Sequence, residues 1–155
     1  MAEMIIGLYP HKASNTIAVL SRDEKLELQQ RFENTAEGMG AMVGAVAEFT
    51  DRVWAVEGAN GIGRSVAQRL VAAGETVIDV PAKLTTRVRV YSTGHGNKTD
   101  RADAVASAKA AVHSKHLRMV RPDDANVALK LLSDRRHELV ASRTQSVCRL
   151  HRLIR

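Results

Sequence analysis

The chain opens on three strand-like segments and from there alternates strands with helices, an order that leaves few architectures available. Met4-Ile5-Ile6-Gly7-Leu8-Tyr9 reads as a buried strand. Asn15-Thr16-Ile17-Ala18-Val19-Leu20 reads as a second, after the turn Pro10-His11-Lys12-Ala13-Ser14. Residues 25–33 fit a third, with Leu26, Leu28 and Phe32 facing inward. Connections this short make neighbouring strands antiparallel, so the chain begins as a three-stranded meander.

Thr35 is placed to cap a helix that runs to Phe49 despite its glycines. Val53-Trp54-Ala55-Val56-Glu57 is a short apolar run suited to a central strand. Ile62, Val66 and Leu70 then show helical spacing over residues 62–73, with Gly74 as the stop. Residues 76–80 form another strand, 82–91 a basic helix, 92–99 a Ser/Thr/Gly-rich loop and 100–113 an Ala-rich helix. Pro122, Asp123 and Asp124 open a last helix that runs to the C-terminus. The order predicts an α/β three-layer domain of the ribonuclease H (RuvC-like) type, with a mixed sheet. Sites in such sheets form where strand ends meet the following loops.

A length of 155 residues allows one domain, read here as 1–113, with an appended basic helical segment over 114–155. Aromatic residues make up only 3%, so Val, Ala, Leu and Ile must build the core. The single Cys148 excludes an intrachain disulfide framework, and no apolar run reaches the length of a membrane span. Those features predict a cytoplasmic protein without membrane contact. Residues 1–114 hold 13 basic and 13 acidic side chains, whereas residues 115–155 hold 10 and 4, so the tail carries the whole +6. A basic segment on a neutral domain points to a polyanion, most simply nucleic acid, or to a solvated helix face. In that tail Leu132, Leu139, Ser146 and Leu153 fall seven apart, beside a second row of Val140, Val147 and Ile154. Such rows describe a coiled-coil helix packing along a partner, through which the chain would form a homo-oligomer, or a helix folding back on its own domain.

The chemistry is concentrated in three acids. Glu57 ends a strand, and Asp100 and Asp103 lie three apart behind Gly94-His95-Gly96-Asn97-Lys98-Thr99. With Thr99 as N-cap, both aspartates fall in the first turn of a helix, where the helix dipole also favours acids for purely structural reasons. Carboxylates converging from separate elements suit two Mg2+ (or Mn2+) ions held roughly 4 Å apart for phosphoryl transfer. Lys83, Arg87, Arg89, Lys98 and Arg101 lie close by in sequence and could neutralise incoming phosphates, or could be ordinary surface charge.

Gly7-Leu8-Tyr9-Pro10-His11-Lys12, Val56-Glu57-Gly58 and Lys98-Thr99-Asp100-Arg101-Ala102-Asp103-Ala104 together resemble the N-terminal RuvC-like domain of DEDD-type insertion-sequence transposases, the bridge-RNA-guided recombinase group. The resemblance runs over essentially the whole chain. It implies that Glu57, Asp100 and Asp103 are the second, third and fourth acids, which are catalytic and hold the metal. It also implies DNA and a guide-type RNA as partners, with Lys12 among the residues that contact nucleic acid. The first acid is expected at position 9, where this chain has Tyr9, and a phenol is a poor magnesium ligand. Family members continue beyond a coiled coil into a domain that supplies a nucleophilic serine, and nothing here matches it. The reading is therefore an impaired, truncated catalytic-type domain for DNA transposition; the alternative is a non-catalytic binding or dimerisation module, a transposase remnant.

Two other patterns compete. Glu57-Gly58-Ala59-Asn60-Gly61-Ile62-Gly63, with Asp79 on the next strand, resembles a dinucleotide fingerprint but lacks its third small residue in register. The histidines show no zinc spacing, and Cys148 reads as a packing residue.

Overall fold

A computed structural model describes residues 3–93 and 99–154. The meander is present as β1 (Met4–Pro10), β2 (Ser14–Ser21) and β3 (Leu26–Glu33). There follow α1 (Ala36–Gly44), β4 (Arg52–Glu57), α2 (Arg64–Ala72), β5 (Val77–Val80), α3 (Ala82–Thr93), α4 (Asp100–His113), β6 (Arg118–Met119) and α5 (Ala125–Leu153). The strands form one sheet in the order β3-β2-β1-β4-β5-β6. β1, β2 and β3 pair antiparallel, β4 and β5 join in parallel, and β6 closes the far edge antiparallel.

Strand periodicity sends alternate side chains to opposite faces. Ile6, Leu8, Trp54 and Val56 enter one core with Met39 and Met42 of α1 and Val66 and Leu70 of α2. Ile5, Ala55 and Val80 enter the other with Ala104 and Ala108 of α4, while Leu84 and Val88 of α3 pack at its margin. The result is the expected three-layer α/β sandwich.

Several expectations need correcting. α1 stops at Gly44, and the chain continues in tight turns carried by Val46 N–H to Val43 O and Ala47 N–H to Gly44 O. α2 begins only at Arg64, so Ile62 lies before the helix and is 70% exposed. Leu26 is 47% exposed, because the register of β2 and β3 shifts between Val19 and Leu20 at the end of an edge strand. β6 had no signal: two residues carry no period. It joins the sheet, and the compact unit accordingly runs to Arg121, with Pro122–Arg155 as a second unit. Other details agree. Thr35 accepts from Gly38 N–H, and Gly74 takes a left-handed φ of 85° with Gly74 N–H to Val71 O and Glu75 N–H to Leu70 O closing α2.

The second unit consists of α5. Asp124 caps it by accepting from Val127 N–H. Lys130–Asp134 and Arg135–Glu138 brace its surface, and Leu132, Leu139, Val140, Val147, Leu153, Ile154 and Cys148 are all exposed. Cys148 is thus not packed within this unit. Among the described residues, no helix is long and apolar enough to cross a membrane.

Two contacts fix the first unit. Arg52 forms a two-pronged pair with Glu75 (Nε–Oε2 3.0 Å, Nη2–Oε1 2.5 Å), Trp54 Nε1 donates to Glu75 Oε2 at 2.8 Å, and Arg52 Nη1 reaches Val46 O and Phe49 O. The Arg52 hydrogen bonds hold the Glu75 carboxyl below the usual carboxylate range, against the opposing effect of burial, with Trp54 adding to the lowering. On the other face, a Cβ at Gly7 would sit 2.6 Å from Ala108 N, so only glycine admits α4 this close to β1.

Glu75→Gln is expected to lower unfolding free energy at pH 7 by about 3 kcal/mol in urea denaturation, because it leaves the part-buried Arg52 charge without its counter-ion. A depressed pKa stabilises above the carboxylate's ordinary range and is lost as pH falls through the folded-state value. The parent and variant curves should therefore converge in acid. Gly7→Ala should cost about 3 kcal/mol by driving α4 from the sheet, which the same denaturation series would read.

Candidate active site

The site is assembled at one end of the sheet by periodicity and register. Ile5, Gly7 and Tyr9 alternate toward the α4 side, and Tyr9 packs half-buried against the core containing Ala104 and Ala108. On β4, Val53 and Ala55 face the same side, so Glu57 does as well by the two-residue period. Leu8 and Val56 are the last paired positions of the two parallel strands. Tyr9 and Glu57 are the next residue on each and stand side by side where the strands end. Glu57 is half-buried, with Oε2 shielded from solvent.

α4 supplies the rest. Thr99 caps it by accepting from Ala102 N–H at 3.1 Å, and Asp103 N–H donates to Thr99 O. The helix C-terminal end is tied to the β2–β3 turn, where Glu24 meets Lys109 at 3.0 Å and also His113. That turn adjoins Ser21, which pairs with Met4 at the far end of β1. The helix start therefore points toward the Tyr9 and Glu57 end. Gln29 Nε2 donates to Arg101 O at 3.0 Å and holds the first turn in place.

The two aspartates diverge in environment. Asp100 is half-exposed, whereas Asp103 is 1% exposed, although both lie in the first turn. A dipole-favoured surface acid has no need of such burial. The Asp103 charge is met by Arg89 of α3, whose Nη1 donates to Oδ1. Asp103 Oδ2 is buried without a hydrogen-bond partner among the described residues. Ser107 Oγ donates to the Asp103 carbonyl and stiffens the turn.

An orphaned buried carboxylate oxygen is chemically suited to a hard cation. The donor set as arranged nevertheless does not fit a metal pair. Arg89 already occupies Oδ1, position 9 offers a phenol, and no three Asp, Glu, His or Cys side chains gather closely enough among the described residues. Of the basic residues, Lys12, Lys83, Arg87 and Arg101 are exposed, and Arg89 is half-buried against Asp103. Lys98, with Gly94–Asn97 before it, lies outside the described residues. The counter-ion role of Arg89 and the position of Lys109 were not read from the sequence. Their only signal was a cation fourteen residues before Asp103 and one eight residues after Arg101.

The glycine-rich turn after Glu57 is closed by its own contacts. Asp79 accepts from Ala59 N–H at 2.8 Å and from Asn60 Nδ2, and Asn60 in turn meets Arg118. An acid committed to the turn is not poised for a ribose, which removes the main support for a dinucleotide site.

Comparison with known proteins gives a consistent result. The transposase family model of the DEDD, IS110 type matches residues 6–155. An uncharacterized 42 kDa protein of insertion element IS900 from Mycobacterium paratuberculosis is 30% identical over 145 residues, covering 91% of this chain and 36% of the relative. An uncharacterized 44.8 kDa protein of insertion element IS116 from Streptomyces clavuligerus is 25% identical over 150 residues, covering 96% and 37%. The chain thus spans little more than a third of the length of these relatives. Among solved structures, T. thermophilus RuvC in complex with Holliday junction substrate superposes with a TM-score of 0.54 at 16% identity, covering 71% of this chain and 93% of that one. A second structure of Thermus thermophilus RuvC gives 0.54 at 15%, covering 76% and 99%. At these identities the likeness is one of fold, and the fold is RuvC-like. The matched span and the relatives together settle the family: the chain belongs to the IS110-type DEDD transposases.

Proposed function

We propose that this chain is the catalytic-type domain of an insertion-element transposase that engages DNA, with a guide-type RNA as a further partner, and that its own site is disabled for cleavage. One observation carries the reading. Asp103 is driven to near-complete burial at the sheet end shared by Glu57 and Tyr9, at the position of the fourth family acid. Burying an anion is costly, and here the cost falls on an acid that the family resemblance places among the metal-holding residues.

In the family, carboxylates at positions 9, 57, 100 and 103 would hold a divalent metal that activates an attacking oxygen toward a phosphodiester. Here Tyr9 contributes a bulky phenol, and Arg89 supplies the positive charge on Asp103. What remains is recognition. Lys83, Arg87 and Arg101 face solvent near this end and can neutralise phosphates without any metal. The exposed Leu and Val rows of α5 support a second role, association with another copy of the chain.

DNA binding measured by fluorescence anisotropy should weaken by about tenfold or more between about 50 and 200 mM salt, as a phosphate-directed contact requires. Absence of binding at low salt would end this reading. Manganese calorimetry on the parent and on Tyr9→Asp should give no measurable heat for the parent and micromolar-to-millimolar binding for the variant. A parent that binds manganese equally well would refute the disabled site. Leu139→Glu should abolish any concentration-dependent rise in mass seen by sedimentation equilibrium, if α5 is the seam.

A further inference from the structure

We infer that the groove walled by α3, α4 and β3 is a subsite for one nucleotide of an extended nucleic-acid strand, seated beside Asp103 and distinct from the acids themselves. The inference rests on the proposed nucleic-acid function and specifies where the strand lies. The groove is a cavity of about 250 Å³ lined by Gln29, Arg89, Arg101, Ala102, Val105, Ala106 and Lys109.

Its two chemistries are separated by helix geometry. Arg101, Val105 and Lys109 fall four apart on α4 and so share one face, with Ala102 and Ala106 as the adjoining row. The next row, Asp103, Ala104, Ser107 and Ala108, is buried. The groove therefore has an apolar floor of small side chains, Ala102, Val105 and Ala106, with a cation at each end. A sugar can lie on such a floor, with its phosphates within reach of Arg101 and Lys109.

Lys109, Arg89 and the backbone that carries Arg101 are held in place before any ligand arrives. Gln29 pins the Arg101 backbone, and Glu24 holds Lys109 at 3.0 Å. Arg89 completes the wall while reaching back to Asp103. Arg101 itself is exposed and carries no ion pair among the described residues. Its charge can meet a phosphate without first giving up an ion pair, whereas Lys109 and Arg89 share theirs with Glu24 and Asp103. Arg89 makes the groove and the acid neighbours in charge as well as in space: a phosphate drawn onto its guanidinium competes with Asp103 for the same donors.

The test uses the full chain with fluorescein-labelled ten-residue oligonucleotides, oligo-dT for DNA and oligo-U for RNA, read by anisotropy across a salt series. Arg101→Ala and Lys109→Ala should each weaken binding by about fivefold to tenfold and reduce the salt slope by about 1. Lys109→Arg should retain both, and Glu24→Gln, which removes the tie and keeps the lysine, should not weaken binding, which separates the phosphate contact from the Glu24 tie. Lys115→Ala, beyond the far end of α4, should change neither. If the parent binds and the Arg101 and Lys109 variants match it, the subsite is wrong and the broader function stands. If the parent binds neither oligonucleotide nor duplex DNA, both fail. Loss on oligo-dT alone or on oligo-U alone would assign the strand.

Discussion

The contact of α4 with β1 at Gly7 governs the rest of the structure. A sheet and a helix usually meet through side chains, but here the helix backbone comes down on a glycine, at Ala104 O and Ala108 N, with Ala108 Cβ beside them. This close approach is possible because α4 is built from alanines. It explains the burial of Asp103, one residue before Ala104. When its neighbours seat against the sheet, the carboxylate is carried below the surface and must find a counter-charge there. Arg89 on α3 provides it.

The two faces of the sheet solve the problem of buried charge in different ways. On one face Glu75 is satisfied on both oxygens by Arg52 and Trp54, a closed arrangement that serves stability. On the other, Asp103 is satisfied on one oxygen and, among the described residues, not on the second. The contrast leaves the Asp103 side the less completely satisfied of the two among the described residues.

Much of this was legible in the sequence, for identifiable reasons. The meander and the α4 start are local: short turns fix strand direction, and Thr99 caps through its own neighbours. The three-layer arrangement follows from those elements. The interior pairing was not legible, because Arg89 and Asp103 sit on different helices and no periodicity links them. Arg89 therefore read as a phosphate contact, indistinguishable from Arg87 two residues earlier. Leu26 and Ile62 looked like core residues because their spacing was right, but a register shift and a late helix start left them in solvent. The position of Tyr9 beside Glu57, in contrast, needed only parallel register once β4 was recognised as the neighbour of β1.

The outer strand β3 has one more implication, for how the molecule avoids itself. Eight residues of open strand edge would ordinarily invite a strand from another copy. Glu27, Arg31 and Glu33 stud that edge with alternating charge, and Lys25 pairs with Glu27 at its start. Charged side chains along an edge strand disfavour the addition of another strand there. Self-assembly by sheet growth, the commonest route to fibrils, is thereby discouraged at the very strand most open to it.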